Sequence, residues 1–199
     1  MIRFSLIVPT RKRTQRLRRL LDSIAATSRS PRQIEVIAVI DSDDTGSMSF
    51  SYTEIAYHPV IVSPGQTMGA LNLAGYRATA GQYLMLLNDD VVVRSPGWDA
   101  ELEQVFTAWP DGIVLAHVND LLFRDTLCIF PCVTRVFCEL AGGICDPAYR
   151  RYRIDDDLHN IFDLIHLLGY TRRVFLPQVV FEHATSSTGH TPLTLSPWN

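Results

Sequence analysis

The chain has 199 residues, 47% of them apolar and 20% charged, with a net charge of −3. This composition excludes disordered, collagen-like and coiled-coil chains, and the acidic balance argues against bulk nucleic-acid binding. A chain of this length can bury its core without disulfide or metal staples. Its apolar runs fall far short of the roughly 18 residues of a membrane span. With no charged-then-apolar leader at its start, it reads as a soluble, cytoplasmic, single-domain protein.

Ile2 to Val8 reads as a buried strand ended by Pro9. Leu17, Leu20, Leu21 and Ile24 then recur at helical spacing behind Thr14. Ile34 to Ile40 is a second strand, nearly continuous in β-branched residues as buried parallel strands are. A polar loop over Asp41 to Ser51, a short strand over Tyr57 to Val62 and a small-residue helix over Gly69 to Ala80 follow. Gln82 to Leu87 is a third strong strand, running into Asn88-Asp89-Asp90. Beyond it the pattern predicts a helix over Trp98 to Trp109, a strand over Ile113 to Val118 and a hairpin-like stretch over Leu121 to Phe130. A short helix near Val133 to Leu140, a Gly142-Gly143 turn, a helix from about Asp155 and a strand over Val174 to Glu182 complete the reading. Strands alternating with helices predict an α/β fold with a mostly parallel sheet.

Charge is unevenly placed. Nine of the 18 basic residues lie in the first 32 positions, while acids form three knots: Asp41, Asp43, Asp44; Asp89, Asp90; and Asp155 to Asp157. In open α/β sheets ligands bind outside the carboxyl ends of the strands, and each strong strand here delivers polar residues at that end. Any one set would pass as ordinary turn chemistry. The three together mark a site. Asp89 and Asp90, bracketed by apolar strand, would repel one another unless a cation joined them. One or two carboxylates plus substrate phosphates are what Mg²⁺ and Mn²⁺ sites use.

In these motifs the sequence resembles the inverting family 2 glycosyltransferases of GT-A type. The resemblance begins at Val8-Pro9-Thr10 with Arg13 and continues through Val39 to Asp44. It extends to Gly69 to Asn72, where Ala74 replaces a usual glycine, and to Ala78 to Tyr83. Asn88-Asp89-Asp90 stands where the family carries its D-x-D metal motif, and Pro96 to Asp99 is also similar. It covers residues 2 to 183. It implies a GT-A-like (Rossmann-like) domain that moves a sugar from a nucleoside-diphosphate donor to a hydroxyl acceptor (glycan, glycolipid or other) with inversion. Membrane contact would be peripheral at most. Residues 1–93 would form the nucleotide-binding half, 94–185 the acceptor-binding half, and 186–199 a tail.

The resemblance implies nucleotide contacts from Pro9, Thr10, Arg11, Arg13, Asp41, Asp43, Asn72 and Asp89. It also implies Mn²⁺ or Mg²⁺ on Asp90 and His183, the latter ending an apolar strand. Acceptor contacts would come from Gly142, Gly143, Asp156 and Asp157. Aligning on Leu158 makes Asp155 the catalytic base, although Ile154 stands where the family has Glu. Helical periodicity agrees, since Asp155 and Asp157 flank the apolar stripe and Asp156 points away from it. Three acids at a helix start would also complement its dipole. The cysteine spacings match no zinc motif. Two rivals are a sugar-phosphate nucleotidylyltransferase, disfavoured because no glycine lies between Pro9 and Arg19, and a non-catalytic nucleotide- or carbohydrate-binding module.

Overall fold

The computed structural model describes residues 1–183. The first half runs β1 (Phe4–Thr10), α1 (Thr14–Thr27), β2 (Ile34–Asp41), α2 (Thr45–Met48), β3 (Ala56–Val62), α3 (Met68–Arg77) and β4 (Tyr83–Leu86). The second runs β5 (Val91–Val93), α4 (Trp98–Thr107), β6 (Leu115–Asn119), β7 (Pro131–Thr134), α5 (Arg135–Ala141), α6 (Ile154–Leu167) and β8 (Arg173–His183). The strands form one sheet in the order β3-β2-β1-β4-β7-β6-β8-β5. Strands β3, β2, β1 and β4 are mutually parallel. The sheet becomes mixed beyond them, because β7 runs antiparallel to both β4 and β6.

Side chains alternate across the buried strands, so both faces of the sheet need cover. Leu6, Val8, Val36 and Ala38 pack on one face with Leu17, Leu20, Leu21 and Ile24 of α1 and with Trp98 of α4. Ile7, Ile37 and Val39 pack on the other with Phe137 of α5 and Leu158 and Phe162 of α6. Helix α3 also covers this second face. It sits so close that a Cβ on Gly75 would lie 2.5 Å from Ile7 Cγ2 and 2.9 Å from Val39 Cγ2. The glycine through which this helix meets the sheet is therefore Gly75, one residue after Ala74.

Several expectations shift. β1 continues through Pro9 to Thr10, since the fixed φ of proline suits extended backbone. Residues 121–130 form a turn-rich loop and no hairpin. The buried Asp120 carboxylate accepts the N–H groups of Leu122, Phe123 and Arg124, donors that a ladder would have used. The segment around Val133 divides into β7 and α5, with Thr134 capping the helix through Phe137 N–H. Pro177 leaves β8 continuous, but the register against β6 slips there: Val118 faces Leu176 while Asn119 faces Val180. The apolar stripe of α6 is buried at Ile154, Leu158 and Phe162 and runs out at Leu168, which is exposed. The tail at 186–199 and His190 lie outside the described residues.

Strand order reverses at β1, whose neighbours β2 and β4 lie on opposite sides. A crevice opens at such a switch point, beyond the carboxyl ends of the strands.

Candidate active site

That crevice is a cleft of about 390 Å³, within the range of small-molecule sites. Pro9, Arg13, Asn72, Asp89, Asp90 and Asp155 line it together. They come from the ends of β1 and β4, the inner face of α3 and the first turn of α6.

The turn after β1 is fixed by Lys12, whose left-handed φ of 54° points its N–H at the buried carboxylate of Asp44. This kink sends the neighbouring arginines apart. Arg11 pairs with both Asp41 and Asp43 at the exposed end of β2, and these carboxylates hold its pKa above the ordinary value. Arg13 turns toward β4 and donates from Nη1 to Asp89 Oδ1 at 3.1 Å. Thr10 is buried and donates its hydroxyl to Asp89 Oδ2 at 2.8 Å.

Asp89 and Asp90 are therefore unequal. Asp89 is buried with both oxygens already engaged, and burial raises its carboxyl pKa against the opposing pull of Thr10 and Arg13. Asp90 faces Arg16 through Oδ2 at 3.7 Å, whereas its Oδ1 is buried and has no hydrogen-bond partner among the described residues. His183 Nδ1 stands 3.8 Å from that oxygen, too long for a hydrogen bond. The imidazole nevertheless holds the Asp90 carboxyl below the usual carboxylate range. A buried carboxylate oxygen without a donor, next to an imidazole nitrogen, is a donor set that suits a divalent cation.

Asp155 occupies the first turn of α6, after Arg153, which takes a left-handed φ of 81°. Burial raises its carboxyl pKa, which makes it a stronger base than an ordinary aspartate. Its place is set from two sides. Cys128 donates its thiol to the Asp155 carbonyl at 3.3 Å. The strand-free segment before α6 docks on the start of α3, where Met68 and Gly69 donate their N–H groups to Arg150 and Tyr149 carbonyls at 3.0 and 2.8 Å. Gly69 is obligatory there, because a Cβ would lie 2.1 Å from the Asp146 carbonyl oxygen.

Other expected site residues lie apart. Gly142, Gly143 and Asp157 line a second cavity of about 320 Å³, between α5 and α6. Asp155 and Asp157 are about 200° apart around the helix, so one faces the cleft and the other this cavity. Asp156 lines neither. Arg11, Asp41 and Asp43 sit beside the cleft and not on its lining. The lining adds Asn88 and Ile154, motif positions given no role of their own, and Arg151 and Tyr152, which sequence reasoning did not single out. A signal for two of them was present: the run Arg150-Arg151-Tyr152-Arg153 directly precedes the third acidic knot.

The sequence profile of glycosyl transferase family 2 matches residues 5–120, more than half of the chain. The chain belongs to glycosyl transferase family 2. No curated protein matches this family 2 chain. Among solved structures it is similar to the mannosyltransferase PcManGT from Pyrobaculum calidifontis, in complex with GDP-Man and Mn²⁺, at 18% identity and a TM-score of 0.68. That match covers 94% of this chain and 58% of the mannosyltransferase chain. S. aureus TarS 1-349 is similar at 14% identity and a TM-score of 0.69, over 92% of this chain and 60% of that one. The shared architecture is the GT-A-type fold, a curled mixed sheet flanked by helices.

Proposed function

We propose that the chain transfers a glycosyl group from a nucleoside-diphosphate sugar to a hydroxyl acceptor, with inversion at the anomeric carbon. The observation that carries this reading is one cleft at the switch point holding an unpartnered carboxylate oxygen on Asp90 and a desolvated carboxylate on Asp155. Pro9, Thr10, Arg11, Arg13, Asp41, Asp43, Asn72 and Asp89 would hold the nucleotide. Thr10 and Arg13 act through Asp89, and Arg11 keeps Asp41 and Asp43 ordered beside it.

Asp90 and His183 would hold Mn²⁺ or Mg²⁺. Among the described residues no three His, Cys, Asp or Glu side chains form a ready cage, so substrate phosphates would have to complete the shell. When bound, the cation supplies neutralisation of the charge that builds on the departing diphosphate. Asp155 takes the proton of the acceptor hydroxyl as its oxygen attacks the anomeric carbon, while the bond to the diphosphate breaks on the other face of the ring. Asp156, Asp157, Gly142 and Gly143 would touch acceptor only where it extends beyond the cleft. The free thiols of Cys128, Cys132, Cys138 and Cys145 support a reducing, cytoplasmic setting. Among the described residues no helix is long and apolar enough to cross a membrane.

The test is calorimetry with a panel of nucleoside diphosphates and their sugars, with and without Mn²⁺, on wild type and Asp90→Ala. Metal-dependent binding that is lost in Asp90→Ala, together with turnover of a donor sugar by wild type, is expected. Unchanged metal-dependent affinity in the variant would refute the metal assignment, and binding without turnover would favour a non-catalytic module.

A further inference from the structure

Arg150, Arg151 and Arg153 fall within four residues immediately before α6, and all three are exposed. Among the described residues none of their guanidinium groups meets a carboxylate. The other arginine on the cleft wall, Arg13, is committed to Asp89. Among the described residues Arg151 is thus a cation without a carboxylate partner, on a cleft wall that also carries Asp89, Asp90 and Asp155. It lies over its neighbour Tyr152, with the guanidinium carbon 5.3 Å from the ring centroid. Tyr152 also lines the cleft and is 73% exposed.

An exposed aromatic ring offers an apolar face for the C–H surface of a sugar or polyol. A guanidinium beside it offers paired donors to a phosphate or carboxylate. Arg151 and Tyr152 precede Asp155, the residue proposed to take the acceptor's proton, by four and three residues and line the same cleft. We propose that the acceptor is an anionic sugar or polyol, its phosphate or carboxylate taken by Arg151 and its carbon skeleton laid on Tyr152. This inference rests on the glycosyltransferase reading for the word acceptor, but the anion site itself does not need turnover.

The experiment compares wild type, Arg151→Gln and Arg151→Lys, each with and without saturating nucleoside diphosphate and Mn²⁺. Glucose, glucose 6-phosphate and glucuronate are titrated by ligand-observed NMR. Wild type should bind at least one charged probe roughly 10- to 100-fold more tightly than glucose, the scale of a hydrogen bond to a charged group. Which charged probe wins separates phosphate from carboxylate. Arg151→Gln should erase the preference, Arg151→Lys should keep part of it, and nucleoside-diphosphate affinity should be equal in all three. Equal binding of charged and neutral probes by wild type would overturn the proposal. So would a loss of nucleoside-diphosphate affinity in Arg151→Gln, which would give this arginine to the donor. A wild type that binds no nucleoside diphosphate yet keeps an Arg151-dependent charge preference would refute the proposed function while leaving the anion site standing.

Discussion

Replacing Gly69 by alanine should loosen the join between α3 and the segment that carries Asp155 into place. The added Cβ would lie 2.1 Å from the Asp146 carbonyl oxygen, against about 3.4 Å for an ordinary contact. Because the obstacle is backbone, the two chains must part by about 1 Å. Overpacking of this kind costs about 1–3 kcal/mol. The two N–H donations from Met68 and Gly69 to residues 149–150 contribute about 1 kcal/mol each when intact. A loss of about 2–4 kcal/mol is therefore expected, measured as a fall in the urea midpoint at unchanged slope. Gly46→Ala is the control, since its Cβ would meet only Asp44 Oδ1 at an ordinary 3.7 Å. The same substitution should lower turnover, because residues 149–153 lead directly to Asp155, the proposed base. If Gly69→Ala stays within about 0.5 kcal/mol of wild type, the scale of an inconsequential surface change, the close approach does not organise the site.

Asp155→Asn should lower donor-sugar turnover by about 10² to 10⁴ with donor affinity unchanged, while Asp156→Asn is near neutral. Inactivity of Asp156→Asn alone would move the base by one residue. Because burial raises the Asp155 carboxyl pKa, turnover in wild type should fall on acidification at a pH above the ordinary carboxylate range. A pH–rate profile with its acid limb at the usual aspartate value would contradict this. His183→Ala should weaken nucleoside-diphosphate binding in Mn²⁺ and leave metal-free binding unchanged, and equal weakening in both conditions would remove His183 from the ion. His117 is buried, and that burial, followed by the nearby Arg173, lowers its pKa from 6.5 to about 4. The unfolded chain takes up this proton first, so stability is full above pH 6.5 and falls toward pH 4, by about 3 kcal/mol for this group. His117→Gln should flatten that part of a denaturation-versus-pH curve, and an unchanged slope would show that His117 does not titrate this way.

Much of the parallel half was legible in the sequence because its signals are local. The β-branched runs of β1 and β2 need only their neighbours to be read, and so do the leucines of α1 at helical spacing and the acids at the ends of β2 and β4. That Asp155 and not Asp156 would line the cleft was legible for the same reason, since helical periodicity alone separates their faces. What tertiary structure decided was set by partners distant in sequence. Asp120 turned a predicted hairpin into a capped loop, an outcome that a strand-like pattern cannot reveal when a carboxylate competes for the same N–H groups. Asp89 and Asp90 are adjacent and chemically identical. Thr10 and Arg13 engage both oxygens of Asp89, while among the described residues Asp90 Oδ1 stays buried beside His183 without a hydrogen-bond partner. Arg151 and Tyr152 entered the cleft because the segment before α6 docks on α3 through Gly69, a contact of chains about 80 residues apart. Sequence determined which polar and charged residues stand at the strand and helix ends; packing decided which of them face one another, because desolvation and pairing act through space and not along the chain.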